Sequence, residues 1–116
     1  MLSFNEAAKM LGNRDSKKIA YKTYLLKTKF NDVVKIRLYD TDILYITKCE
    51  SSGGDIYGLY HDKHPTRLTK DRLSKYGPIS IYQEDYVWYT KHGRFLDGQM
   101  FNSHGEFVGG RKYSLT

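Results

Sequence analysis

Apolar and polar residues change period along this chain, and the changes mark its elements. Phe4, Ala7, Ala8 and Leu11 recur at helical spacing. Ser3 stands before them with Glu6 following, the pattern of a capping box, and Gly12-Asn13 supplies a stop. The spacing predicts a helix from Phe4 to Leu11. Ser16-Lys17-Lys18-Ile19-Ala20 is expected to begin a second short turn of helix. That would give a helix-turn-helix with a very short recognition helix, because Thr23-Tyr24-Leu25-Leu26 already reads as strand.

From Lys22 the period becomes two. Leu26, Thr28 and Phe30 alternate with Lys27 and Lys29, Asn31-Asp32 signals a turn, and Val34, Ile36 and Leu38 alternate with Lys35, Arg37 and Tyr39. The pattern predicts a hairpin with one apolar face and one basic face that carries Lys27, Lys29, Lys35 and Arg37. Asp40-Thr41-Asp42 interrupts it. Further strands are expected at Ile43 to Thr47 and Ile56 to Tyr60, on either side of the Ser51 to Asp55 loop. Pro65 to Tyr76 predicts a second helix, capped by Thr69, with Leu68, Leu73 and Tyr76 inward and Gly77-Pro78 at its end. Ile79 to Gln83 and Tyr86 to Thr90 predict a hairpin around Glu84-Asp85. Short strands follow at Arg94-Phe95-Leu96, Gln99 to Asn102 and Glu106 to Val108. The expected fold class is α+β, mostly β: a single curled antiparallel sheet with a short N-terminal helix and one central helix. At 116 residues the chain is expected to be a single domain, 1–116.

Charge adds a direction to this picture. The formal net charge is +6. Residues 1–58 hold 10 basic and 7 acidic groups and residues 59–116 hold 9 and 6, so there is no basic tail and any patch must be made by folding. Between Lys9 and Arg37, nine Lys or Arg residues face only Asp15 and Asp32, with tyrosines and hydroxyls among them. Such a mixture suits phosphate and bases. The candidate nucleic-acid-binding residues are Arg14, Lys17, Lys18, Lys22, Arg37, Lys70 and Arg72 for phosphate, with Tyr24 and Tyr39 for base or sugar. A helix starting near Ser16 would add backbone amides. Arg67 and Lys75 extend the cluster around Lys70. The plainer alternative is a solvated face that keeps the sheet soluble. Eleven tyrosines also suit a protein-interaction surface.

Catalytic signatures are missing. His61 and His64 form a His-x-x-His pair, but His92 and His104 stand far from it and supply no second pair, so no metal is expected. Cys49 is the only cysteine and reads as a small hydrophobe. Asp40 and Asp42 could hold magnesium in a nuclease, but no acid-x-Lys triplet follows them, and a turn-and-cap role accounts for them better. Gly109-Gly110-Arg111-Lys112 could let backbone approach a phosphate. There is no phosphate loop and no nucleophile elbow. The reading is therefore a non-enzymatic binding protein without a cofactor, whose partner is nucleic acid, a nucleotide or a protein. No signal peptide or apolar run of membrane-spanning length is visible, so no membrane partner is expected.

In order along the chain come Asn13-Arg14 with Lys17-Lys18, Thr23-Tyr24-Leu25, Ile36-Arg37-Leu38 and Thr41-Asp42-Ile43. After Gly53-Gly54 come Thr69-Lys70-Asp71-Arg72, Ile81-Tyr82-Gln83, Val87-Trp88-Tyr89 and Phe95 to Gly98. This series, over about residues 12 to 100, resembles a widespread family of small uncharacterised proteins of bacteriophages and mobile elements. The Tyr-rich segment 56–60 and the tail after Met100 depart from it. The resemblance implies a phage setting and the reducing cytoplasm of a host cell. It implies no reaction. By analogy, such proteins act by stoichiometric binding to nucleic acid, host polymerase or host defence systems, including inhibition of a host factor.

Overall fold

A computed structural model describes residues 1–110. Its fold is α+β and mostly β. Helix α1 (Phe4–Leu11) leads into strands β1 (Ser16–Ala20), β2 (Thr23–Lys27), β3 (Val33–Leu38), β4 (Thr41–Thr47) and β5 (Ile56–Leu59). Helix α2 (Arg67–Tyr76) follows, then β6 (Tyr82–Glu84), β7 (Val87–Thr90), β8 (Gly93–Arg94), β9 (Gln99–Asn102) and β10 (Phe107–Gly109). One antiparallel sheet has the order β1-β2-β3-β4-β5-β9-β10, and β6-β7-β8 form a separate small sheet where a single sheet was expected.

The capping box is present: Ser3 Oγ accepts from Glu6 N at 3.1 Å, and Glu6 Oε1 accepts from Ser3 N at 2.9 Å. Phe4, Ala7 and Leu11 point into the core. Helix α2 begins later than Pro65 and is capped by Thr66, not Thr69; Thr69 is buried and donates to the His64 carbonyl. Its inward side chain is Leu73, with Leu68 and Tyr76 partly buried beside it.

Two expectations from the basic segment are corrected. Ser16–Ala20 is a strand and not a helical turn, so no helix-turn-helix forms there. The extended form pairs Lys17 with Leu25 and Lys18 with Tyr24, and this ladder outweighs a weak local helix preference. The second correction concerns phase. β2 carries Tyr24, Leu25 and Leu26 in a row, so its pattern alone does not choose an inward residue. Pairing with β3 chooses: Leu25 lies opposite Ile36 and Thr23 opposite Leu38, while Leu26 lies opposite Lys35. A shift by one residue turns every side chain over. Lys27 therefore takes the phase of Val34, opposite to that of Lys35 and Arg37, but as the exposed last residue of β2 it sits at the end of the sheet beside the β2–β3 turn. Lys29 falls beyond the strand, in the β2–β3 turn.

The core sits on one side of the large sheet. Leu25, Val34, Ile36, Leu44, Ile46, Tyr57, Leu59 and Phe101 meet α1, Leu73 of α2, and Ile79, Ile81, Trp88 and Phe95 from the small sheet and its approaches. Tyr57 is fully buried and donates to the Leu2 carbonyl at 2.8 Å; burial pushes its phenol up to about 12. Both helices and the small sheet share this one side. The molecule is only 20 Å through its thinnest axis, the depth of a sheet with a single covering layer. The opposite face of β1 to β5 is left open among the described residues.

Candidate nucleic-acid interface

Strand register fixes what the open face presents. One row runs Lys18, Tyr24, Arg37, Asp42 across β1 to β4. The next runs Ser16, Leu26, Lys35, Tyr45, Gly58, Met100 from β1 to β9. Adjacent strands are roughly 4.8 Å apart, so the first row spans about 14 Å. Two tyrosines thus stand among three cations on the open face. Tyr24 is 38% exposed. Tyr45 is half-buried and meets Tyr60 edge to face, with ring centroids 5.7 Å apart. Tyr60 lies against bare backbone: a Cβ at Gly58 or Gly98 would meet its ring at 3.4 or 3.5 Å.

Asp42 organises the charge. Its Oδ1 accepts from Arg37 Nε at 2.8 Å, and its Oδ2 accepts from Lys35 Nζ at 3.0 Å and Arg37 Nη2 at 3.5 Å. Burial alone would push the Asp42 carboxyl up. The hydrogen bonds and charges of Arg37 and Lys35 outweigh burial and hold it below the usual carboxylate range. In return, the bond to Asp42 raises the Arg37 guanidinium. Burial, then the charge of Asp42, pushes the Tyr45 phenol up. With both oxygens engaged, Asp42 has little left for a magnesium ion, and the turn residue Asp40 is its nearest acid in sequence.

Two concavities flank Tyr45. One, of about 480 Å³, is acidic and is bounded by Asp40, Asp42, Asp62 and Tyr60. The other, of about 580 Å³, is basic and is bounded by Lys27, Lys29, Phe30, Val33 and Lys35. The turn that forms its wall is braced by Thr28, whose Oγ1 donates to the Val33 carbonyl at 2.8 Å and accepts from Phe30 N at 3.1 Å.

The residues singled out in the sequence fall into three groups. Lys18, Tyr24 and Arg37 share the open face. Lys22 and Tyr39 meet at one end of the sheet, where both backbones have positive φ (52° and 54°) and Tyr39 N donates to the Lys22 carbonyl at 2.9 Å. The rest lie elsewhere. Arg14 is exposed and donates to the Met10 carbonyl at 3.5 Å, closing α1. Lys17 is on the helix side of β1, opposite Leu25. Lys70 and Arg72 are on α2, and Arg72 Nε donates to Thr23 Oγ1 at 2.9 Å, tying α2 to β2. Arg111 and Lys112 lie outside the described residues.

Phe30, Tyr45 and Tyr60 were missed. The alternation of Leu44 and Ile46 with Tyr45 was a usable signal. Phe30 gave none, since it continued the apolar phase of a strand that ends at Lys27. The histidines do not gather: His61 packs on Trp88 at 5.3 Å, the His92 ring meets the Gly105 carbonyl at 2.6 Å, and His104 meets the Ser52 carbonyl at 3.4 Å. Among the described residues no three His, Cys, Asp or Glu side chains come together as a metal site, and no helix is long and apolar enough to cross a membrane. Comparison with protein-family models, curated proteins and solved structures gives no match.

Proposed function

We propose that the chain is a non-enzymatic binding protein whose open sheet face holds single-stranded nucleic acid, acting in the cytoplasm of a phage or mobile-element host. The observation that carries this is the register: Lys18, Tyr24 and Arg37 form one row and Leu26, Lys35 and Tyr45 the next. Aromatic rings on an uncovered sheet give bases something to stack on, and interleaved cations track the backbone. A duplex is less well served, because the face of a many-stranded sheet does not enter a groove as a helix or a two-stranded ribbon does.

Fluorescence anisotropy with short single-stranded RNA, single-stranded DNA and duplex DNA tests this at low and physiological salt. Single strands should bind and duplex should bind less tightly. Tyr24→Ala should weaken binding about tenfold, in line with the loss of one stacked base. No binding at low salt would end the proposal.

A second reading, stoichiometric inhibition of a host protein, draws on the small sheet. Tyr82 stacks on Tyr89 at 5.8 Å, and Tyr86 is 94% exposed at the tip of the β6–β7 hairpin. Exposed tyrosines of this kind anchor protein interfaces. A partner captured from nuclease-treated lysate by the wild type and lost in Tyr86→Ala would favour it.

A further inference from the structure

We propose that the basic groove at the β2–β3 turn is a nucleoside-phosphate site, with the base against Phe30 and the phosphate held by Lys27, Lys29 and Lys35. The proposal rests on the open-face reading, because Lys35 and Tyr45 belong to both surfaces. The groove's volume of about 580 Å³ lies within the range of small-molecule sites. Its lining is divided as such a ligand requires. Phe30 is 57% exposed, the one phenylalanine exposed among the described residues, and Val33 and Tyr45 continue the apolar surface. Lys29 Nζ lies over the face of the Phe30 ring, 5.2 Å from its centre, so a base that stacks on that face displaces the ammonium and frees it to meet the ligand's phosphate.

Charge complementarity decides the class of occupant. Neither Lys27 nor Lys29 has an acidic partner among the described residues. Lys35 is shared with Asp42. An apolar ligand would leave the two lysines unmatched, and an inorganic phosphate would leave Phe30 wet. A nucleoside phosphate satisfies both. The bracing of the turn by Thr28 holds Phe30 and Lys29 in place before the ligand arrives. Two sources share this chemistry: a free nucleotide, and the phosphorylated end of a strand lying on the open face.

The test compares 5′-phosphorylated, 3′-phosphorylated and unphosphorylated single strands by anisotropy, and adenosine 5′-monophosphate by calorimetry. The wild type is set beside Phe30→Ala, Lys29→Glu and the open-face variant Tyr24→Ala. Phe30 and Lys29 are exposed, so these changes leave the core intact, and circular dichroism checks this. An end site predicts about tenfold tighter binding of one phosphorylated strand, roughly one charge-assisted contact. That preference should vanish in Lys29→Glu and Phe30→Ala while unphosphorylated strands still bind. A free-nucleotide site predicts that the monophosphate binds the wild type and Tyr24→Ala but not the groove variants. Equal binding of all strand ends, with no uptake of the monophosphate, would overturn the groove and leave the open face standing. Monophosphate uptake without any strand binding would do the reverse.

Discussion

Asp42 is the residue on which the open face turns, because one carboxylate occupies two of the cations a phosphate would seek. On the proposed reading it stands in for phosphate when no ligand is bound. Asp42→Asn should therefore release Lys35 and Arg37 and tighten single-strand binding several-fold at low salt, measured by anisotropy. A magnesium-dependent nuclease built on Asp42 would instead lose cleavage in the same variant. The pH dependence has a definite sign. The folded-state carboxyl is held below its usual range, so its contribution to stability is present above the ordinary carboxylate pKa and is lost as pH falls through the lowered value. Thermal melts from neutral to acid pH should show wild type losing stability in that window, with Asp42→Asn losing less. Gln99 is the opposite case, a residue that the fold tolerates without using. It is fully buried, and neither its amide oxygen nor its nitrogen has a partner among the described residues. Such a group costs about 1–3 kcal/mol. Gln99→Leu should raise stability by about 1 kcal/mol in urea denaturation, and an unmoved midpoint would mean that the amide is satisfied by water.

Elements carry a separate lesson about what the chain discloses. The helix from Phe4 to Leu11 was readable because its cap, apolar stripe and glycine stop all agree, and such agreement leaves no competing structure. β3 was readable because Val34, Ile36 and Leu38 alternate without a break. β1 was not, since five residues with two lysines have no strong preference and become a strand only through an edge pairing with β2. The phase of β2 was hidden for a related reason, as its three consecutive large apolar residues fit either face until β3 selects one. The candidate site depended on that phase, so its cations were legible as a group but not as a surface. Arg72 shows the consequence. Its charge marked it as a phosphate ligand, yet its guanidinium reaches Thr23 Oγ1 at 2.9 Å and fastens α2 to the sheet. Arg72→Ala should cost about 1–2 kcal/mol in denaturant unfolding. It should leave single-strand affinity within about twofold of wild type, since one charge away from the contact surface contributes little. A large loss of affinity with unchanged stability would return Arg72 to the binding surface.

At the scale of the whole molecule, a net charge of +6 spread evenly along the chain becomes useful only because folding sorts it. Lys70 and Arg72 go to the helix-covered side and Lys18, Lys35 and Arg37 to the open one, with Lys27 and Lys29 at the open face's margin. Acid is sorted too, since Asp40, Asp42 and Asp62 border the neighbouring concavity and would repel a strand that strayed over it. The path left to a polyanion runs from Lys18 past Tyr24 and Lys35 toward Lys27 and Lys29. If Lys18, Lys27 and Lys29 each neutralise one phosphate while Asp42 holds Lys35 and Arg37, the logarithm of affinity should fall against the logarithm of salt with a slope of about −2 for single strands. Lys18→Glu should flatten that slope by roughly 0.7, and Asp42→Asn should steepen it by roughly 1.4 as Lys35 and Arg37 both join the path. A slope near −1 in the wild type would confine electrostatic contact to one lysine, and would then favour the uncharged, tyrosine-led surface of the small sheet as the place where this protein meets its partner.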